Sequence, residues 1–170
     1  MKTLLLAMSL LTFLGLKSAQ ALPIGAPAPV LDAVNQDGQK LNLGDYYRKG
    51  LVLVYFYPKA DTPGCTAQAC SLRDAYTDLL QEGVTVIGVS HDPPEAQKKF
   101  QEKYRLPFAL IADTDGAVAR AFQVPTVVGF TKRQAFLIRD GKIVWADFSA
   151  STDKQADDVK KAIRAMLPKS

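Results

Sequence analysis

The sequence predicts an α/β domain: a central mixed β-sheet with helices on both faces, preceded by an N-terminal β-hairpin. Three observations carry this. Continuous apolar runs at residues 51–57 and 84–90 read as strands buried on both faces, the pattern of parallel pairing. Each run is followed by a segment with helical apolar spacing. Segments at residues 30–43 and 134–148 are divided by Gln36-Asp37-Gly38 and Asp140-Gly141 and read as hairpins. Strands alternating with helices through right-handed crossovers leave one sheet covered on both sides.

The chain opens with Lys2 and a 13-residue apolar run at residues 4–16. Ser18-Ala19-Gln20-Ala21 follows, with Ala at the −3 and −1 positions for a cut after Ala21. This is a secretory signal pattern, and the run is too short to span a bilayer. Lys17 is atypical of it, and an uncleaved anchor is the competing reading. Cleavage leaves residues 22–170, a single domain of 149 residues with length for a full core.

A Pro/Ala lead-in at residues 23–29 reaches the first hairpin. Residues 43–48 form a short helical turn that Gly50 ends, and residues 51–57 make the central strand. In the next helix Cys65, Ala69, Leu72, Tyr76, Leu79 and Leu80 share an apolar stripe. Cys70 falls with Arg73, Asp74 and Thr77 on the wetter face, and Gly83 is the stop. After the strand at 84–90, Asp92-Pro93-Pro94-Glu95 reads as N-cap, first-turn prolines and capping-box acid. That helix runs to about Tyr104 with Ala96, Phe100 and Tyr104 inward. A third strand covers 108–112. Asp113-Thr114-Asp115-Gly116 starts like a calcium loop but lacks the later acidic ligands. It reads as a turn before a short helix at 117–122. Residues 125–131 are loop. The second hairpin pairs 134–139 with 142–148, and Ser151 or Thr152 caps a last helix with Val159, Ile163, Met166 and Leu167 inward.

Charge excludes some partners. The net charge of +4 counts Lys2 and Lys17, and residues 22–170 carry +2. No basic block or aromatic-basic interleaving remains, so nucleic-acid binding has no support. Past the N-terminal run no apolar stretch approaches 18 residues, so the cleaved chain has no membrane span. An even spread of charge points to a monomer. The single histidine, His91, and the single tryptophan, Trp145, read as turn and packing residues. Tyr57 is either core or pocket lining.

Both cysteines lie in one stretch, YFYPKADTPGCTAQACSLRD, from Tyr55 to Asp74. In an exported chain two cysteines first suggest a structural disulfide. Their spacing fits neither a thioredoxin-type C-x-x-C nor the usual zinc pairs. Cys65 follows Pro63 and Gly64, in the first turn of the helix, where unpaired N–H groups and the helix dipole favour an anion. An ordinary thiol with a pKa of about 8.5 is only ~3% thiolate at pH 7. Ionising it takes about 3–4 kcal/mol. A helix terminus supplies about 0.3–1 kcal/mol, at most ~2. A hydroxyl and a permanent cation are needed besides, and Thr62 is a local candidate for the hydroxyl.

This stretch resembles the active-site segment of the peroxiredoxins. Pro58, Thr62 and Cys65 stand at the spacing P-x-x-x-T-x-x-C. The words YFYPKADTPGCT and ACSLRD are similar to those of the peroxiredoxin Q (bacterioferritin comigratory protein) branch. The resemblance runs from about Ile24 to the C-terminus. It implies a thioredoxin-like fold and a thiol peroxidase acting on hydrogen peroxide and organic hydroperoxides without metal, haem or flavin. It implies that Cys65 is the peroxidatic and Cys70 the resolving cysteine, joined in the catalytic disulfide. Thr62 binds the peroxide, Pro58 shields Cys65, and Arg133 in RQAFLI supplies the cation. Thioredoxin or a similar dithiol is the implied reductant. Ala135, where Thr or Val is usual, and Arg139, where Asp is common, depart from the pattern without touching the matched positions. Two other readings stand beside it: a thiol–disulfide oxidoreductase that uses no peroxide, and a non-enzymatic domain with a structural Cys65–Cys70 bridge.

Overall fold

The computed structural model describes residues 22–166. The expected signal segment at residues 1–21, and Leu167 of the last helix, lie outside the described residues. The elements run β1 (Asp32–Val34), β2 (Lys40–Asn42), α1 (Leu43–Tyr47), β3 (Leu51–Phe56), α2 (Pro63–Asp74), α3 (Tyr76–Gln81), β4 (Val84–Ser90) and α4 (Pro94–Tyr104). Then come β5 (Ala109–Ala112), α5 (Ala117–Ala121), β6 (Thr126–Val127), β7 (Phe130–Thr131), β8 (Gln134–Arg139), β9 (Lys142–Asp147) and α6 (Gln155–Met166).

The five-stranded sheet has the order β5-β4-β3-β8-β9. β3 pairs parallel with β4 and antiparallel with β8, so the sheet is mixed as expected. β1 and β2 form the N-terminal hairpin. Alternation along β3 splits the core in two. Leu51, Leu53, Tyr55 and Tyr57 pack with Ala69, Leu72 and Leu79 of α2 and α3, Phe100 of α4, and Val159 and Ile163 of α6. Val52, Val54 and Phe56 pack on the other face with Leu43 and Tyr47 of α1 and Val118 and Phe122 at α5. Every residue of β3 is buried, which is why it reads as a continuous apolar run.

Five expectations are corrected. The helix expected through to Gly83 breaks at Ala75 into α2 and α3, and the bend buries Leu79 but leaves Leu80 50% exposed. Asp92 is not the N-cap of α4; Pro93 is, and the Asp92 carboxylate turns toward the loop before α2. The inward polar position of α4 is Gln97, fully buried, while Ala96 is half-buried. Residues 125–131 are not all loop, since β6 and β7 form a small hairpin. Ser151 accepts from the N–H groups of Asp153 and Lys154, a turn ahead of α6 rather than its cap. Among the described residues no helix is long and apolar enough to cross a membrane.

Candidate active site

β3 ends against the loop that carries Pro58 to Thr62. Tyr57 fixes that junction from both sides: its N–H donates to the Val89 carbonyl (3.1 Å) and its carbonyl accepts the Thr131 hydroxyl (2.8 Å). Pro58 follows at once, half-buried in the bend. Thr62 has extended backbone (φ −94°, ψ 153°) and precedes Pro63 at the first helical position. Cys65 is therefore the third residue of α2, where the backbone N–H has no intrahelical partner. Its side chain is 1% exposed.

Arg133 stands just before β8. β8 lies beside β3, with Gln134 paired to Phe56 and Ala135 to Tyr55, and that register brings Arg133 to the start of α2. Its Nη2 is 3.4 Å from Cys65 Sγ, while Nη1 donates to Gln68 Oε1. The guanidinium thus spans two residues of one helix face, the thiol and a buried amide. Gln68 donates in turn to Gln155 Oε1 of α6 (2.8 Å), and both glutamines are fully buried. Gly64 leaves room for this approach, since a methyl group there would sit 3.3 Å from Arg133 Nη2 and from Thr152 Cγ2. Gln68, Gln155 and the space that Gly64 leaves for Arg133 escaped the sequence reading. A glutamine one turn after Cys65, beside an apolar stripe, was the available signal.

Thr62 differs from expectation. Its hydroxyl proton goes to the Lys59 carbonyl (2.9 Å), so it does not donate to Cys65. A hydroxyl committed that way retains only acceptor lone pairs, suited to an incoming O–H. Cys70 sits later on α2, half-buried, and both thiols are free. Tyr57 is core, not pocket lining: it is fully buried, and its hydroxyl donates to Gln97. Burial pushes the Tyr55 and Tyr57 phenols well above their ordinary range, so both stay neutral.

A second polar chain holds the loop. Gln97 donates to Ser90 Oγ (2.8 Å) and to the Ile111 carbonyl (2.9 Å). Ser90 donates to Asp92 (2.7 Å), and Asp92 accepts the Ala60 N–H (2.7 Å). His91 bonds the Asp113 carbonyl and Thr126, a turn role as expected. Among the described residues no three His, Cys, Asp or Glu side chains gather as metal ligands do. What the arrangement can do chemically is hold an anionic sulfur beside a fixed cation, with a hydroxyl acceptor at the helix start.

Comparison with known proteins finds similar chains. Residues 24–146 match the AhpC/TSA family. Peroxiredoxin Bcp of Escherichia coli (strain K12) is 46% identical over 140 residues, covering 76% of this chain and 89% of the relative. The chloroplastic peroxiredoxin Q of Populus jackii is 34% identical over 146 residues, covering 84% and 68%. The crystal structure of peroxidoxin BcpB from Mycobacterium tuberculosis superposes with a TM-score of 0.80 at 33% identity, covering 85% of this chain and 97% of that one.

Proposed function

The chain belongs to the AhpC/TSA family, in its peroxiredoxin Bcp and peroxiredoxin Q branch, and from that premise we propose how its residues divide the reaction. The protein is a thiol-dependent peroxidase with a thioredoxin-like fold, acting on peroxide and re-reduced by a thioredoxin-type dithiol. The Cys65 thiolate attacks the terminal oxygen of ROOH. An S–O bond forms, the O–O bond breaks, and RO⁻ leaves and takes a proton to become alcohol, or water when R is hydrogen. Cys65 is oxidised to the sulfenic acid. Cys70 then attacks that sulfur, water leaves, and a Cys65–Cys70 disulfide forms. Two thiols of the external dithiol reduce it, and the dithiol becomes a disulfide.

The observation that carries this reading is the Arg133 guanidinium 3.4 Å from a buried Cys65 at a helix start. Arg133 stabilises the thiolate and the charge that develops on the breaking O–O bond. Thr62 accepts from the peroxide O–H, and Pro58 shields the sulfur. Rapid mixing of reduced protein with equimolar peroxide tests it. Stoichiometric thiol loss far faster than that of a free thiol is expected; loss at the free-thiol rate refutes it.

Disulfide formation requires α2 to open. Residues five apart on a helix are separated by about 7.5 Å of rise and roughly 140° of rotation, about 8–9 Å between Cα atoms. A disulfide needs about 4.4–6.8 Å and converging Cβ vectors. The helical form with free thiols is then the peroxide-reactive one, and the segment between Thr62 and Arg73 remodels on oxidation.

In the same reading residues 1–21 export the protein, as their apolar run and Ala19/Ala21 suggest, and residues 22–170 act as a monomer outside the cytoplasm, free of the membrane. An intact mass lacking the first 21 residues, from protein recovered in a periplasmic or luminal fraction, is the expected result. A full-length mass refutes cleavage, and size-exclusion chromatography reads the oligomeric state.

A further inference from the structure

The last two residues of α4, Lys103 and Tyr104, hold both ends of α2. At the start, Lys103 Nζ lies 2.9 and 2.7 Å from the two carboxylate oxygens of Asp61, and the Tyr104 hydroxyl donates to Asp61 at 2.7 Å. Asp61 immediately precedes Thr62. It sits in the left-handed region (φ 58°), which Asp tolerates better than most side chains. The two donors hold its carboxyl below the usual carboxylate range, Lys103 chiefly and then Tyr104. At the other end, Arg73 Nη1 donates to the Tyr104 carbonyl at 2.9 Å. That carbonyl is one of the last four of α4, which no intrahelical N–H can reach. Arg105 follows in the left-handed region, turning the chain away and leaving the carbonyl to Arg73.

α4 is a fixed post. Gln97 and Phe100 are buried in it, and Gln97 is bonded to β4 and β5 through Ser90 and the Ile111 carbonyl. The segment it spans, Asp61 to Arg73, contains both cysteines and is the one that has to open for the disulfide. We propose that Lys103 and Tyr104 form a two-ended clamp on the catalytic helix. The Asp61 end positions Thr62 and Cys65 for the peroxide step; the Arg73 end opposes the opening that lets Cys70 reach Cys65. This rests on the assignment of Cys65 and Cys70 above. The four are positioning residues and touch no reacting atom.

The two ends act on different steps. Freeing Asp61 loosens the loop that sets Thr62 against Cys65, and slows S–O bond formation. Freeing Arg73 removes a tie present only while α2 is wound, and speeds S–S bond formation with loss of water. It also favours the disulfide at equilibrium, so the reduction potential moves to a more negative value.

The test separates the peroxide and disulfide steps by rapid mixing, in full-length protein. The Lys103→Met/Tyr104→Phe double variant changes no residue of the active-site loop. It is expected to slow thiol loss about 3–10-fold, the range for exposed ties of this kind, with disulfide formation no slower. Lys103→Arg alone is expected to keep the wild-type peroxide rate. Arg73→Met is expected to speed disulfide formation about 3–10-fold with an unchanged peroxide step. Its pH profile for disulfide formation is expected to keep the wild-type midpoint. A shifted midpoint would assign Arg73 to the charge of the neighbouring Cys70 thiol and overturn that end of the clamp. Wild-type rates in the double variant would overturn the other. If wild-type protein itself fails to consume peroxide stoichiometrically, the function reading fails, not the clamp.

Discussion

α2 and α6 are both 12 residues long and pack against each other on one face of the sheet, yet they are held by different means. α6 buries Val159, Ala162 and Ile163 in a stripe. α2 buries one large aliphatic side chain, Leu72; its other buried positions are Cys65, Gln68 and Ala69. Burying a Val, Leu or Ile contributes about 1.5–3 kcal/mol. Much of the attachment of α2 is by exchangeable hydrogen bonds. Gln68 donates to Gln155, the Ser71 hydroxyl accepts the Ala156 N–H at 3.2 Å, and Arg73 donates to the Tyr104 carbonyl. Each contributes about 0.5–1.5 kcal/mol net, and water replaces it when it breaks. Peeling away an apolar stripe has no such replacement. On the proposed mechanism, the helix that has to open is thus attached by ties that can be remade, and its neighbour by ones that stay.

The sharpest break in the comparison is inside α2 itself. Cys65→Ser is expected to abolish peroxide consumption, since only Cys65 has the helix-start position and the Arg133 contact. Cys70→Ser is expected to keep the first turnover and stop at the sulfenic acid, seen by dimedone labelling and mass. Equal loss of the first turnover in both variants would reverse that assignment. Arg133→Met comes next, with the peroxide step slowed about 100-fold or more, the scale for losing one preorganised donor at a developing charge. Arg133→Lys is expected to remain deficient, because a point charge cannot reach Cys65 Sγ and Gln68 Oε1 together as the fork does. A wild-type rate in Arg133→Met would remove the residue from the site.

Oxidation state sharpens the contrast. Hydrogen exchange of the disulfide form against the dithiol form is expected to lose protection over residues 66–73, with α6 protected in both from Val159 onward. Equal protection of α2 in both states would mean that the cysteines never pair within one chain. Ile163→Ala is expected to cost about 2–4 kcal/mol in denaturant unfolding. It is expected to leave the peroxide and disulfide steps within about 2-fold of wild type, because its contacts survive both. A large change in either step would show that α6 moves with α2.

The difference between these helices was only partly legible in the sequence. β3 and β4 could be read almost to the residue because near-continuous burial writes an apolar run, and β8 because the Asp140-Gly141 turn marks its hairpin. Cys65, Thr62 and Arg133 were picked out as candidates through the pattern of a known family; the register of β8 on β3 brings Arg133 to the thiol, while the bond from the Thr62 hydroxyl to the Lys59 carbonyl was not legible. The break at Ala75 was not legible: no Pro or Gly marks it, and the Ala75 N–H still bonds the Ser71 carbonyl at 3.3 Å. Asp92 looked like a cap because it precedes two prolines, and local pattern cannot show that Ala60 competes for its carboxylate. Gln68 and Gln155 are polar residues whose burial follows from meeting each other across two helices, 87 positions apart, so neither local segment records the pair.

The smallest expected effect concerns Thr66. Among the described residues its hydroxyl is buried without a partner. The carbonyl one turn back, that of Thr62, already accepts the Thr66 N–H at 2.8 Å. A buried hydroxyl left unpaired costs about 1–3 kcal/mol, and that cost is relieved once the helix opens and water reaches it. Threonine is also a poorer helix former than alanine by about 0.5 kcal/mol. Both effects bias α2 toward opening, in the direction opposite to the Arg73 tie. Thr66→Ala is therefore expected to stabilise the wound form by about 1 kcal/mol, which corresponds to a roughly 5-fold slower conversion of sulfenic acid to disulfide. Global unfolding is expected to become harder by a similar amount, since the unfolded chain also hydrates the hydroxyl. The longer-lived sulfenic acid is then exposed to a second peroxide, and sulfinic acid at a fixed peroxide excess is expected to rise in proportion. Rapid-mixing decay of the sulfenic acid, with the sulfinic product read by mass, checks both. An unchanged or faster decay would show that the unpaired hydroxyl does not set how readily this helix lets go.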